Sequence, residues 1–290
     1  MKHKEYHSAW GLLRQLTSPL PFLEVDMKRL LLVLILCAPA WAANVFTTDA
    51  NCVALWRLES GALATDSIGT NDTLYNSVTA DGTVYKEGSY SGTFSYSISD
   101  MTIQDSNLSS NFPLKSGDAN KKISVCFWLY YTSSTNRWLF GKGDDGSSYS
   151  FTIHNITGTG IDMWIGYNGG SSYEILTGPD YGADLFSKWY HVGATFDDST
   201  KAWHMRVWND TVSEVNDVSG TTTNNIYVGN EGVGLGCDGT GDRAFSGRLD
   251  EVVVFNDILT SDEIDAIRNG TYPAPVSTGT SDWWWRRRHN

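Results

Sequence analysis

The chain has 290 residues, a formal net charge of -12, a pI near 4.8 and 13% aromatic residues. So acidic a chain, with its lysines and arginines scattered through the body, argues against a nucleic-acid partner. The length would allow two ordinary domains, but both ends differ in composition from the middle.

At the start, Met27-Lys28-Arg29 opens a basic segment, residues 30–36 form an uninterrupted apolar run, and Ala40-Trp41-Ala42 fits a small-x-small cleavage site. The run is too short to cross a bilayer, so residues 27–42 read as a secretory signal peptide. Residues 1–26 then read as an extension from an upstream start, and the expected location is secreted or cell-surface. No CxxC spacing occurs, so zinc is not expected. Export permits a disulfide. Cys126 lies inside an apolar run, which leaves Cys52 and Cys237 as the pair to test, although spacing does not fix connectivity.

The body, residues 43–272, alternates short runs rich in Val, Ile, Thr, Tyr, Phe and Trp with Gly/Asn/Asp/Ser clusters. That pattern predicts antiparallel strands. The expected strands are 52–58, 92–96, 123–131, 138–141, 149–154, 161–167, 189–196, 202–209, 225–228 and 249–255. Trp56, Trp128 and Trp189 fall within strands, where each ring can bury a large apolar area between facing sheets. Along 123–131 both faces are apolar, as expected of an inner strand covered on both sides. Adjacent Asp250 and Glu251 should point to opposite faces of the last strand. One short helix follows, with Thr260 as N-cap, Glu263 completing a capping box, Ile264 and Ile267 on its apolar side, and Asn269-Gly270 as its stop. Residues 273–282 read as a linker. The run Trp283-Trp284-Trp285-Arg286-Arg287-Arg288 suits a peripheral membrane or sorting contact but is too small to anchor the chain alone.

Five segments in order carry a resemblance. Val53-Ala54-Leu55-Trp56-Arg57-Leu58-Glu59 is similar to an L-x-x-W-x-F-(D/E) opening strand. Thr65-Asp66-Ser67-Ile68-Gly69-Thr70-Asn71-Asp72 follows a D-S-x-G-x-N-D loop with Ile68 as a variation. Ile123-Ser124-Val125-Cys126-Phe127-Trp128-Leu129, Trp189-Tyr190-His191-Val192 and Gly247-Arg248-Leu249-Asp250-Glu251-Val252 complete the set. Together they resemble the laminin-G-like, pentraxin-like branch of the concanavalin A-like lectin/glucanase superfamily. The resemblance implies an all-β, antiparallel jelly-roll sandwich with one short C-terminal helix. It implies non-catalytic recognition of a glycan or a surface protein; the alternatives are a structural or adhesive surface component, or a glycan-cleaving enzyme. It also implies calcium at the sandwich rim, with Asp66, Asn71 and Asp250 as ligands, since hard oxygen donors suit that ion.

Aromatic residues supply the ligand-binding candidates. Trp164 and Tyr167 belong to one hairpin and Trp203 and Trp208 to another, and sugars stack on exposed rings through their C–H faces. For any single ring, burial in the core is the commoner fate. Related glycosidases carry E-x-D-x-x-E on one strand. The nearest string here, Glu263-Ile264-Asp265-Ala266-Ile267-Arg268, lacks the last acid and sits in the helix, so no catalytic residue is assigned. His154, His191 and His204 have no ligand spacing.

Overall fold

The computed structural model describes residues 44–96, 100–132, 137–146, 148–156, 160–180 and 186–273. The expected signal peptide, the upstream extension, residues 274–282 of the linker and the Trp283–Arg288 run lie outside the described residues. Among those described, the chain forms two antiparallel sheets and one α-helix. No described helix is long and apolar enough to cross a membrane.

In chain order the strands are β1 (Cys52–Trp56), β2 (Leu74–Asn76), β3 (Thr79–Asp81), β4 (Ser91–Phe94), β5 (Asp100–Ile103), β6 (Lys122–Tyr131), β7 (Arg137–Asp144), β8 (Ser148–Ile156), β9 (Gly160–Tyr167) and β10 (Ser172–Leu176). They continue with β11 (Trp189–Asp197), β12 (Ala202–Asn209), β13 (Glu214–Thr221), β14 (Val233–Leu235) and β15 (Gly247–Phe255). The helix α1 is Ser261–Arg268. The first sheet runs β13-β12-β11-β6-β15-β4-β3, with β1 also on β15, and the second runs β10-β9-β8-β7-β14-β5-β2.

Side-chain alternation divides the strands between two cores. Ile123, Val125, Phe127, Leu129 and Tyr131 of β6 face the second sheet and pack with Phe151, Ile153, Met163 and Ile165. Cys126, on the opposite side of β6, packs with Leu55, Val253 and Phe255 beneath Ile264 and Ile267 of α1. Being covered on both faces is what makes β6 read as a continuous apolar run. Gly193 of β11 lets the helix approach, since a Cβ there would sit 2.6 Å from Ile264 Cγ2. Thr260 and Glu263 form the expected capping box.

Three expectations are corrected. Residues 225–228 form no strand; the amide of Tyr227 donates instead to the Gly166 carbonyl, at the end of β9. Trp56 packs between the sheets, but Trp128 lies on the outer side of β6, where its indole N–H donates to Glu87. Trp189 is half-buried beside Tyr130. The last strand also breaks alternation. Asp250 is opposite Trp128 and Val253 is opposite Cys126, so β15 carries one extra residue, and Glu251 takes a left-handed φ of 48°. This bulge turns both carboxylates to the same side.

Candidate functional site: the outer face of the second sheet

Strand register gathers five rings on the face of the second sheet that points away from the first. Trp138 is opposite His154, Thr152 is opposite Trp164, and Tyr173 is opposite Gly166. His154 and Trp164 stack at 4.0 Å with planes 10° apart, and Trp164 stacks on Tyr173 at 4.6 Å and 11°. Tyr149 leans on Tyr173 at 4.8 Å and on Trp138 at 5.8 Å. Such ring pairs add to the area they bury. The packing depends on Gly141, where a Cβ would lie 2.0 Å from Trp138 Cε3.

One end of this row is closed and the other is open. Trp138, Tyr149 and His154 are buried, whereas Tyr173 is 44% exposed and its face neighbour Ile175 47%. Burial drives the His154 pKa down to about 3, so the imidazole is neutral, with Nε2 2.7 Å from the Thr152 hydroxyl. Burial raises the Tyr149 phenol, whose O–H donates to Asp145; Asp145 also pairs with the half-exposed Arg243. Burial raises Asp162, which accepts from the Gly178 amide. The Trp164 indole N–H is buried with no hydrogen-bond partner among the described residues. An aromatic surface edged by a few placed polar groups is the usual composition of a small-ligand site.

The residues singled out from sequence do not converge. Trp164 belongs to the row. Tyr167, half-buried at the end of β9, pairs with Ser172 instead. Trp203 and Trp208 lie on opposite faces of β12: Trp203 packs against the inter-sheet core, and Trp208 lies outside, with the Arg268 guanidinium 3.9 Å above its ring. His154, Trp138, Tyr149 and Tyr173 had no distinguishing local pattern. Only the pairing of β7 to β10 reveals them.

Asp66 and Asn71 form a closed loop staple. Asp66 Oδ1 accepts from the amides of Leu55 and Ile68, and Oδ2 accepts from the backbone and side-chain N–H groups of Asn71. Asn71 Oδ1 accepts from the Ser109 amide. Asp250 shares none of these partners. Its Oδ2 accepts from the amides of Lys86 and Glu87, while Arg57 holds Glu251 with both carboxylate oxygens engaged. Among the described residues no group of three His, Cys, Asp or Glu side chains is arranged to hold a metal. These donors do not fit a three-residue calcium site, because the oxygens of Asp66 and Asn71 are already saturated by N–H groups.

The cysteine pairing is corrected as well. Cys52 and Cys237 are free, buried thiols. Cys52 packs with Cys126 and α1, whereas the Cys237 thiol donates to the carbonyls of Met101 and Leu235 in the second sheet. Burial pushes the Cys52 thiol up to about 12. In the helix, Glu263 is used by the cap, and Asp265 is held by Arg206 at 2.7 Å.

Two antiparallel sheets packed face to face, with one short helix after the last strand, define a lectin-type jelly-roll sandwich. The chain belongs to the concanavalin A-like lectin/glucanases superfamily, whose family model matches residues 104–265, more than half of the sequence. Its structure is similar to the binding domain of botulinum neurotoxin DC in complex with SialylT (TM-score 0.55, 10% identity, 78% of this chain and 52% of that one). It is also similar to a botulinum neurotoxin type C structure, a toxin whose cell entry depends on two ganglioside molecules (0.54, 12%, 76% and 51%). A third is the DC binding domain in complex with rat synaptotagmin II (0.54, 10%, 78% and 52%). At such identity the likeness is one of fold, and this chain spans about half the length of those chains. No curated protein matches the sequence.

Proposed function

We propose that this protein is an exported, non-catalytic recognition domain that binds a glycan at the open end of the aromatic row on the second sheet. The observation that carries this reading is Tyr173. It is exposed, it is held in orientation by Trp164 and Tyr149, and Ile175 extends the apolar surface beside it. A ring already fixed by neighbours loses little conformational entropy when a sugar stacks on it. Arg243 and Asp145 stand beside Tyr149 and supply donors and acceptors for hydroxyls.

A hydrolytic role has less support. Glycoside cleavage needs two carboxyl groups flanking one cleft. Asp250 and Glu251 are buried and already bound by amides and by Arg57. The neurotoxin binding domains contribute the fold to this reading, and no ligand.

The test is a glycan array on the full chain, followed by calorimetry with the best binder. Tyr173→Ala leaves an exposed strand position and should weaken binding about tenfold or more, ~1.4 kcal/mol, at unchanged melting temperature. Unaltered affinity in that variant would place the ligand elsewhere.

A further inference from the structure

The outer face of the first sheet carries a groove of about 710 Å³ between β11–β13 and the segment leading into α1. Register lines up its floor: Thr195 is opposite His204, His204 is opposite Ser219, and Ala202 is opposite Thr221. Its wall is the segment that includes Leu259 and Ser261. Ser124 pins that wall, its hydroxyl donating to the Asp257 carbonyl at 2.6 Å and accepting from the Leu259 amide at 3.0 Å. The groove is therefore built into the packing of α1 on the sheet.

Its chemistry is that of hydroxyl groups. Ser219 and Thr221 are exposed and Ser261 is half-buried, and none of the three side chains has a hydrogen-bond partner among the described residues. Charges in the groove are matched: Lys122 lies 3.7 Å from Asp197, and His204 is tied to Asp217 at 2.5 Å. Hydroxyls that both donate and accept, beside compensated charge, suit a ligand that is itself rich in hydroxyls and uncharged. A polyanion would meet no free cation in the groove, and an apolar ligand would strip water from the serines and threonines without replacing it.

We infer that this groove is a second ligand site, taking a neutral oligosaccharide, so that one domain presents a sugar-binding surface on each of its two sheets. The inference adds a site to the glycan reading above and shares only its ligand class. Two sites on opposite faces cannot close on one short ligand. They would instead let one domain bridge two glycan chains, or gain avidity on a dense glycan surface.

Amide-resolved NMR titration of the full chain tests this, with cellohexaose, maltohexaose, xylohexaose and mannohexaose as neutral probes and a heparin hexasaccharide as the anionic control. At least one neutral hexaose should shift the amides of Thr195, His204, Ser219 and Thr221. Ser219→Trp, which fills the groove from an exposed strand position, should weaken that binding at least tenfold. Thr221→Val should weaken it several-fold by removing one hydroxyl at nearly constant shape. Tyr173→Ala should leave the groove response intact. A groove silent to all four neutral probes overturns the inference, whatever happens at Tyr173, and so does a groove that responds to heparin alone. Groove shifts with a silent Tyr173 face would uphold this site and overturn the aromatic one.

Discussion

Asp250 is wholly buried at a bulge, with one oxygen on two loop amides and the other without a partner among the described residues. Burial, with Glu251 and Glu87 adding repulsion, raises its pKa to about 8; burial likewise raises Glu251 to about 7 against the pull of Arg57. Both groups hold protons more tightly in the folded protein than in the unfolded chain. Their stabilising contribution is therefore full below about pH 4, where an ordinary carboxylate titrates, and is lost as pH climbs through about 7 to 8. Melting temperature should fall from pH 5 to pH 9, and Asp250→Asn, which cannot ionise and keeps an acceptor for the two amides, should flatten that slope. Equal slopes in the two proteins would show that Asp250 does not carry the effect. A second residue-scale test concerns the aromatic row. Gly141→Ala drives a methyl into the Trp138 ring, and urea unfolding should show a loss of about 1–3 kcal/mol. Wild-type stability in that variant would mean the ring can shift aside.

Among elements, α1 is the one whose sequence and structure agree in detail. Thr260, Glu263, Ile264, Ile267 and Gly270 each take the role that local chemistry assigns, with Gly270 at a φ of 69°. Helix ends are decided by hydrogen bonds within a few residues, so they can be read locally. Thr260→Ala should cost about 1 kcal/mol in chemical unfolding, and Thr260→Ser much less; equal losses would deny the cap its role. The long strands β6, β11, β12 and β15 were legible for a related reason, since β-branched and aromatic runs bounded by turn residues leave few alternatives. Strands such as β10 and β13 were not. Ser172–Leu176 and Glu214–Thr221 are edge strands with much of their surface in water, and a polar edge has the composition of a loop. The candidate site was hidden for a different reason. Trp164 could be suspected from the sequence, but its neighbours His154 and Tyr173 join it only through the register of β8, β9 and β10. The Asp250–Glu251 bulge was invisible for the same reason, because period-2 alternation contains no signal for one extra residue.

At the scale of the whole molecule, the expectations about metal and cysteine both turn on which groups the sandwich has already paired. The loop that carries Asp66 closes on itself: four N–H groups saturate one carboxylate, and Asn71 ties the same loop to Val53 and Ser109. A calcium ion bound there would first have to displace those donors, while Asp250 serves a separate cluster with Lys86 and Glu87. A ligand that binds only the folded state raises stability by an amount that grows with its concentration over its Kd. If the Asp66 loop is satisfied without metal, neither millimolar calcium nor excess EDTA should move the melting temperature of the full chain by more than the error of the scan. Asp66→Ala should destabilise equally in calcium and in EDTA, by roughly 2–4 kcal/mol, because four buried or half-buried donors lose their acceptor together. A rise in melting temperature with calcium that disappears in Asp66→Ala would overturn this account. It would mean that the loop opens to exchange its own amides for the ion, and the rim would return as a metal site.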